Sequence, residues 1–273
     1  MNDQNARIAF IGGGNMASAI IGGLLQQGLA ASQVTVVEPF AEARARLKQQ
    51  FGVDALEQAG PPLADAGLVV WAVKPQTFRD AAAQAKAYVS GALQLSVAAG
   101  IRSDSIAAWL GTQRIVRSMP NTPALVGKGM TGLYARPAVG SEDKARVEQV
   151  IATTGEHLWV AQERHLDAVT ALSGSGPAYV FYFLEAMTQA GTEMGLDAQQ
   201  ARRLAVGTFA GASELARASS EPLATLRERV TSKGGTTYAA LTSLEQDQVK
   251  ASFVKALHAA CKRAEELGDE FGK

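Results

Sequence analysis

Residues 8–17 read Ile-Ala-Phe-Ile-Gly-Gly-Gly-Asn-Met-Ala, a short apolar run followed at once by a glycine-rich loop. Gly12, Gly14 and Ala17 form a G-x-G-x-x-A pattern. Gly12 permits a tight turn, Gly14 lets the backbone approach a pyrophosphate, and Ala17 lets the following helix pack close to a sheet. Unpaired N–H groups at a helix start favour anionic phosphates. The stretch therefore predicts a strand, a phosphate-binding loop and a helix.

The first half of the chain continues this pattern, because apolar runs rich in Val and Ile alternate with amphipathic stretches, as in βαβ units. We predict strands at Arg7–Ile11, Val34–Val37, Leu68–Val73, Leu93–Val97, Arg114–Ser118, Gly129–Tyr134 and His157–Val160. Helices are predicted at Asn15–Gln27, Glu42–Phe51, Gln76–Val89 and Glu142–Thr153, with Gly28 and Gly52 as C-terminal stops. The expected architecture for residues 1–161 is an α/β Rossmann domain with a doubly wound, mostly parallel sheet.

Residues 162–273 differ, since Ala/Leu-rich segments replace the β-rich runs and predict an all-α domain. The predicted helices are Pro177–Met194, Asp197–Ala216, Pro222–Val230, Gly235–Gln246 and Gln248–Leu267. Asp197 is expected as an N-cap, and Pro177 and Pro222 as first-turn prolines. The apolar run 179–184 would surround most of a helix, so we expect a subunit interface to cover it.

Composition excludes several classes of protein. The chain has 273 residues, with 26 basic and 26 acidic side chains and a net charge of +0, which argues against a nucleic-acid or anionic-membrane partner. Its lone cysteine, Cys261, excludes an internal disulfide and fits the cytoplasm. The polar stretch 1–7 predicts neither a signal peptide nor a membrane anchor. His157, His165 and His258 lack ligand spacing, so we expect no metal.

Further candidate residues follow the predicted strands at the edge where open α/β sheets bind ligands. Glu38 could accept hydrogen bonds from the adenosine ribose, which favours NADH. A 2′-phosphate there would be repelled, unless the Glu38 side chain turns away or the helix start brings Arg44 or Arg46 close. Glu38 could instead be a solvated acid at the end of its strand. Lys74, after the strand Leu68–Val73, could meet ribose or nicotinamide, or be a solvated loop lysine.

Two glycine-rich loops stand in the helical half, where glycine weakens helices. The first reads Ser173-Gly174-Ser175-Gly176-Pro177 and precedes a long helix. The second, Thr231-Ser232-Lys233-Gly234-Gly235-Thr236-Thr237, lies between two predicted helices. Its amides and hydroxyls could bind a carboxylate at a helix N-terminus. A flexible turn would not require its hydroxyl residues.

These motifs resemble the pyrroline-5-carboxylate reductase family. The matching segments, in order, are residues 10–17, 72–76, 119–123, 173–179 and 231–237. The last, continued by Leu241 and Leu244-Glu245, is similar to that family's signature. The resemblance implies NADPH or NADH as hydride donor, reduction of the cyclic imine 1-pyrroline-5-carboxylate to proline, and a helical domain that interleaves with a partner subunit as a homodimer, with a higher assembly of dimers left open.

Residue roles are carried over by position from the resemblance. Thr237 and Glu163 are the expected catalytic residues near the ring nitrogen. The substrate-binding residues are expected to be Val230, Thr231, Ser232, Lys233, Gly234, Gly235, Thr236 and Thr237. The cofactor-binding residues are expected to be Ile11, Gly12, Gly13, Gly14, Asn15, Met16, Ala17, Glu38, Val73, Lys74, Pro75, Ala99 and Asn121.

Two departures from the family and two alternatives remain. The family usually has proline at the position of Lys233, and it usually prefers NADPH, whereas Glu38 argues for NADH. Another reductase of this architecture, such as a 3-hydroxyacid dehydrogenase or a broader imine reductase, would need a dedicated proton-transfer residue. A non-enzymatic redox sensor could keep the cofactor loop but lose the substrate loop.

Overall fold

The computed structural model describes residues 7–272, so most of the polar stretch 1–7 lies outside the described residues. Within these described residues, eight strands form one sheet: β1 (Arg7–Ile11), β2 (Val34–Val37), β3 (Ala55–Leu56), β4 (Ala66–Trp71), β5 (Leu93–Ser96), β6 (Ile115–Met119), β7 (Gly129–Ala135) and β8 (Gly155–Trp159). Their order across the sheet is β3-β2-β1-β4-β5-β6-β7-β8. The first six strands are parallel, and β7 runs antiparallel to β6 but parallel to β8.

This order brings the carboxyl ends of five parallel strands to one edge of the sheet. Register pairs Ile11 with Val37 on one side and with Trp71 on the other. Trp71 in turn pairs with Ser96, and Ser96 pairs with Arg117. The loops that leave β1, β2, β4, β5 and β6 therefore start next to one another, as the doubly wound topology requires.

Helices α1 (Asn15–Gln26), α2 (Ala41–Phe51), α3 (Pro75–Val89), α4 (Ser103–Leu110) and α5 (Ser141–Ala152) accompany this sheet. The alternating faces of the strands feed two separate apolar clusters. One contains Phe10 and Leu95 together with Ile20 of α1, and the other contains Trp71 and Phe78. Because both faces are buried, the strands are apolar on both sides, which explains the strong sequence signal.

The remaining helices are α6 (His165–Val169), α7 (Gly176–Glu193), α8 (Ala198–Ala218), α9 (Leu223–Arg229), α10 (Thr236–Gln246) and α11 (Val249–Phe271), with a π-helical turn at Thr170–Gly174 between α6 and α7. Asp197 caps α8 as predicted, since its side chain accepts from the Gln200 N–H at 2.9 Å. Pro177 lies in the first turn of α7, but Pro222 stands one residue before α9. The predicted Rossmann and helical architecture is confirmed.

The chain divides into two compact units. The first holds residues 1–175 and 260–273, and the second holds residues 176–259. Residues 260–273 thus belong with the sheet, although they continue α11. The boundary predicted after Ala161 stays a prediction.

The second unit has few buried side chains of its own. Tyr179 and Phe183 of α7 each contact Phe253 of α11 edge-on, with ring centroids 5.6 Å apart. Gly191 lies against Ala201, so α7 and α8 approach closely. Large apolar side chains nevertheless stay exposed, among them Phe181, Tyr182, Leu204, Leu215 and Val230. Within residues 7–272, no helix is both long and apolar enough to cross a membrane.

Candidate active site

The glycine loop has the geometry that its sequence predicts. Gly12 adopts φ +97°, in the left-handed region, and its N–H donates to the Val37 carbonyl at 2.8 Å. A Cβ atom at Gly12 would meet the Ala72 carbonyl oxygen at 2.5 Å. Only glycine fits this turn, because both the backbone conformation and the neighbouring strand exclude a side chain.

Gly14 and Ala17 complete the loop in different ways. Nothing lies within 4 Å of a Cβ built on Gly14, so the backbone there is open to a ligand. Ala17 is fully buried in α1 against the sheet. Gly14 is the N-cap of α1 and no side chain caps that helix, so the first-turn N–H groups point outward without an intrahelical acceptor. The loop fits a pyrophosphate.

Glu38 follows β2 and is tied to the glycine loop. Its Oε2 accepts from the Gly13 N–H at 2.8 Å, and its Oε1 accepts from the Phe40 N–H at 3.0 Å. Only 6% of Glu38 is exposed. Each carboxylate oxygen has a second lone pair, so the side chain can still accept from hydroxyl groups.

The other predicted cofactor residues lie on loops at the same edge. Val73 and Lys74 follow β4, and Lys74 is exposed, as either interpretation of this residue allows. Ala99 lies between β5 and α4, beside Gly100 with φ +69°. Asn121 follows β6, where its amide joins Ser173 to β7: Nδ2 donates to the Ser173 carbonyl at 3.2 Å, and Oδ1 accepts from the Met130 N–H at 2.9 Å.

Glu163 lies just before α6 and is bound by three donors. Its Oε1 accepts from the Ser103 N–H at 2.6 Å and from Arg117 Nη1 at 2.8 Å, while its Oε2 accepts from the Ser103 hydroxyl at 2.6 Å. The carboxylate therefore caps the N-terminus of α4 and pairs with an arginine of β6.

This environment keeps Glu163 ionised. Burial alone would raise the pKa of its carboxyl, but the Arg117 charge and the hydrogen bonds from Ser103 outweigh burial and lower the pKa below its usual value. Asp167 behaves differently, because burial raises its pKa more than the charges of Arg117 and Arg102 lower it.

The predicted substrate loop joins α9 to α10. Gly234 adopts φ +76°, and the Gly235 N–H donates to the Ser232 carbonyl at 3.0 Å, which closes the turn. The Thr231 hydroxyl donates to the Arg227 carbonyl at 2.7 Å. The main-chain N–H groups of Val230, Thr231 and Gly235 all donate to carbonyl groups of nearby residues, so they are not available to a ligand.

Unused donors remain at this corner. Across residues 7–272, no described hydrogen bond uses the main-chain N–H of Ser232, Lys233, Gly234 or Thr236. Gly235 is the N-cap of α10 and provides no side-chain cap. The positive end of the helix therefore faces solvent with free donors, which suits a small carboxylate. Thr237 lies half-buried in the first turn.

Sequence reasoning missed Ser103 and Arg117 as partners of Glu163. A signal existed, because Arg117 stands in the apolar strand Ile115–Met119, where a side chain is expected to be buried. Only 8% of its surface is exposed. A buried arginine needs a counter-charge. The partner, 46 positions away, could not be read from the spacing.

The Cys261 thiol is not activated by its surroundings. Burial, then the charges of Glu265 and Asp167, raise the pKa of the Cys261 thiol, so it stays protonated at neutral pH. Within the described part of the chain, no three His, Cys, Asp or Glu side chains lie together as metal ligands.

Comparisons with known proteins agree with this architecture. Residues 7–100 match the family described as NADP oxidoreductase, coenzyme F420-dependent, and residues 163–267 match pyrroline-5-carboxylate reductase dimerisation. A pyrroline-5-carboxylate reductase from Pseudomonas aeruginosa is 45% identical over 98% of this chain and 98% of its own length. The enzyme from Pasteurella multocida is 42% identical over 97% and 98%.

Solved structures give the same result. A pyrroline-5-carboxylate reductase from Coxiella burnetii is 37% identical, with a TM-score of 0.90 over 96% of this chain and 98% of that one. The Plasmodium falciparum enzyme, solved with NADP bound, is 29% identical, with a TM-score of 0.87 over 97% and 99%. A reductive aminase from Aspergillus terreus shares only the fold, at 18% identity and a TM-score of 0.61 over 97% and 94%.

The sheet order, the glycine loop and the matching family models define an NAD(P)-dependent oxidoreductase with a Rossmann domain and a helical domain. Sequence identity above 40% with two pyrroline-5-carboxylate reductases, over nearly the whole chain, narrows this class of oxidoreductase to one family. The chain belongs to the pyrroline-5-carboxylate reductase family, which confirms the resemblance found in the sequence.

Proposed function

We propose that the protein reduces 1-pyrroline-5-carboxylate to L-proline with NADH or NADPH, the last step of proline biosynthesis. The observation that carries this proposal beyond family membership is the corner Thr231–Thr237. It offers free main-chain donors at the start of α10, as an anionic ring substrate needs. A redox sensor would have no use for such a corner.

The dinucleotide fits the first unit. The left-handed turn at Gly12, the open backbone at Gly14 and the uncapped start of α1 suit a pyrophosphate. Glu38 suits a ribose hydroxyl, and Val73, Lys74, Pro75, Ala99 and Asn121 would line the remainder of the site. When bound, the reduced nicotinamide supplies a hydride and leaves oxidised.

The substrate carboxylate is proposed to bind the free N–H groups of residues 232–236. The Thr237 hydroxyl would then hydrogen-bond the ring nitrogen and set the orientation of the C=N bond. Lys233, exposed in place of the family's usual proline, adds a positive charge that attracts the carboxylate. Position and charge, rather than a covalent intermediate, provide the rate enhancement.

The protonation state of Glu163 supports a protonated substrate. Because its pKa is lowered, this carboxylate is not a proton donor at neutral pH. We propose that the imine binds already protonated, that hydride adds to C5, and that the C=N electron pair moves to nitrogen. The amine then takes a proton from water. Glu163 would orient the N–H of the iminium or stabilise its charge.

The exposed apolar side chains of the second unit support a homodimer, in agreement with the dimerisation family that this part of the chain matches. A partner subunit that covers Phe181, Tyr182 and Leu215 would remove large apolar surface from water. We also propose that the enzyme acts in the cytoplasm, because its single free cysteine fits a reducing compartment.

The decisive assay follows the absorbance of reduced nicotinamide with pyrroline-5-carboxylate and either cofactor. Thr237→Ala should lower kcat by an amount equivalent to roughly 1–3 kcal/mol, the cost of a lost buried hydrogen bond, with little change in cofactor affinity. Thr242→Ala is the matched control, because this threonine of α10 is half-buried like Thr237 and its hydroxyl donates to the Tyr238 carbonyl in its own helix. An unchanged kcat in Thr237→Ala would remove Thr237 from the mechanism.

A further inference from the structure

Arg44, on the first turn of α2, bonds the main chain of Glu38, the residue whose carboxylate is proposed to bind the ribose. Its Nη1 donates to the Glu38 carbonyl at 3.0 Å and to the Pro39 carbonyl at 2.6 Å. The helix start therefore does bring an arginine to the end of β2, as a 2′-phosphate would require. Arg46, two positions on, is exposed.

The guanidinium of Arg44 is already occupied on its other side. Its Nη2 donates to Glu57 Oε2 at 3.3 Å, from the residue that directly follows β3. Together with the two carbonyl contacts, this ion pair holds the arginine along the backbone of residues 38–39. The Arg44 side chain is 23% exposed and that of Glu57 is 67% exposed, so the arginine is the more buried partner.

Space exists beside this pair. An open, polar cavity of about 480 Å³ is lined by Pro39, Glu57, Gln58, Ala59, Gln84 and Tyr88. Of these lining residues, Pro39 directly follows Glu38 in the chain, and Glu57 is the ion-pair partner of Arg44. A phosphate on the ribose would therefore enter a region with two carboxylates, Glu38 and Glu57, and one arginine that is already paired.

We propose that Glu57 is a specificity-determining residue for the cofactor: it engages Arg44 and so withholds the guanidinium from the 2′-phosphate of NADPH. The inference rests on the proposed placement of the dinucleotide at Gly12–Ala17 with its ribose at Glu38. NADH, which lacks the phosphate, needs no arginine. Glu38 disfavours the phosphate by direct repulsion, and Glu57 disfavours it through Arg44.

The experiment measures binding by the full-length protein, apart from turnover. Adenosine 2′,5′-bisphosphate and AMP serve as calorimetric probes, because they differ only in the 2′-phosphate, and NADPH and NADH are titrated in parallel by fluorescence. Glu57→Gln should tighten binding of the bisphosphate and NADPH by about threefold to tenfold, as an exposed ion pair gives way to a charge-assisted bond to phosphate. AMP and NADH should bind as in the parent protein.

Two further variants separate release of Arg44 from a general change of charge. In an Arg44→Gln background, Glu57→Gln should give no gain, since the cycle then lacks the residue through which Glu57 acts. Glu42→Gln removes the same charge from an exposed position on the first turn of α2, two residues from Arg44. It should change the ratio of the two affinities by less than about twofold, as expected for screened surface charge.

Several outcomes would overturn the inference. A gain that persists without Arg44, or that Glu42→Gln matches, would show a general field effect. Weaker NADPH binding in Glu57→Gln would mean that Glu57 presents Arg44 to the phosphate. If the parent protein bound neither NADH nor NADPH, the placement of the cofactor would fail. If both cofactors bound and their ratio ignored Glu57, only the role of Glu57 would fail.

Discussion

Replacing Glu163 by glutamine tests whether its ion pair organises the first unit. The amide keeps the shape but loses the charge: its oxygen can still accept from the Ser103 N–H and Arg117, and its NH2 group can donate to the Ser103 hydroxyl. The Arg117 side chain, 9% exposed, would then lack its counter-charge. Breaking a buried pair in this way costs about 3–5 kcal/mol. Because Glu163 is 20% exposed, solvent screens the pair, and we expect a cost below that range, about 2–3 kcal/mol.

Urea unfolding followed by tryptophan fluorescence is the appropriate assay. All three tryptophans, Trp71, Trp109 and Trp159, belong to residues 1–175, so the signal reports on the unit that holds the ion pair. Asp80→Asn, an acid-to-amide change at an exposed site on α3, is the control and should shift stability by less than about 0.5 kcal/mol.

The pH dependence provides a second check. Since the folded-state pKa of Glu163 lies below its unfolded value of about 4.5, the pair stabilises the protein fully above that pH. The stabilisation is lost as the pH falls through the folded-state pKa. The parent and Glu163→Gln should therefore differ most near neutral pH and converge in acid. Equal stability at neutral pH, or a difference that acid leaves unchanged, would refute the reasoning.

Three other predictions follow from single features. Gly14→Ala should leave the melting temperature within about 2 °C, because its Cβ meets no atom, yet weaken NADH binding in a titration; unchanged affinity would contradict the open-backbone argument. Asp167→Asn should raise stability above about pH 4, because burial raises the pKa of this acid and penalises its charged form, and the gain should vanish in acid; thermal melts across pH check this. Tyr182→Glu, on the exposed apolar surface of α7, should shift sedimentation from dimer towards monomer, whereas the same change at Gln199, on an exposed polar part of α8, should not.

Much of the first unit could be predicted from sequence because its strands are buried on both faces. Seven of the eight strands were predicted within a few residues. The missed strand β3 has only two residues, and the missed helices α4 and α6 have eight and five, too short for a clear period. The reversal at β7 left no mark on the residue pattern, because a buried strand is apolar in either direction.

The residues of the candidate site also fall into two groups, those that sequence motifs reveal and those that they do not. Gly12, Gly14 and Gly234 could be identified from the short motifs around them, because their roles depend on the local backbone conformation and on nearby residues. The partners of Glu163 and Arg44 could not, because each ion pair joins segments whose proximity only the folded sheet creates. Long-range pairing of this kind is set by topology rather than by spacing.

The path of α11 has a consequence for synthesis. Ala264 and Phe271 pack within the first unit, and Arg102 pairs with Asp269 at 2.8 Å, although the 84 residues of the second unit, 176–259, are made before them. Domains generally fold on the ribosome as their chains emerge. Here the nucleotide-binding half must wait, with the patch around Gly100 uncovered, until residues 260–271 have been translated. The first unit, whose synthesis begins first, is therefore completed only after the second unit has been made.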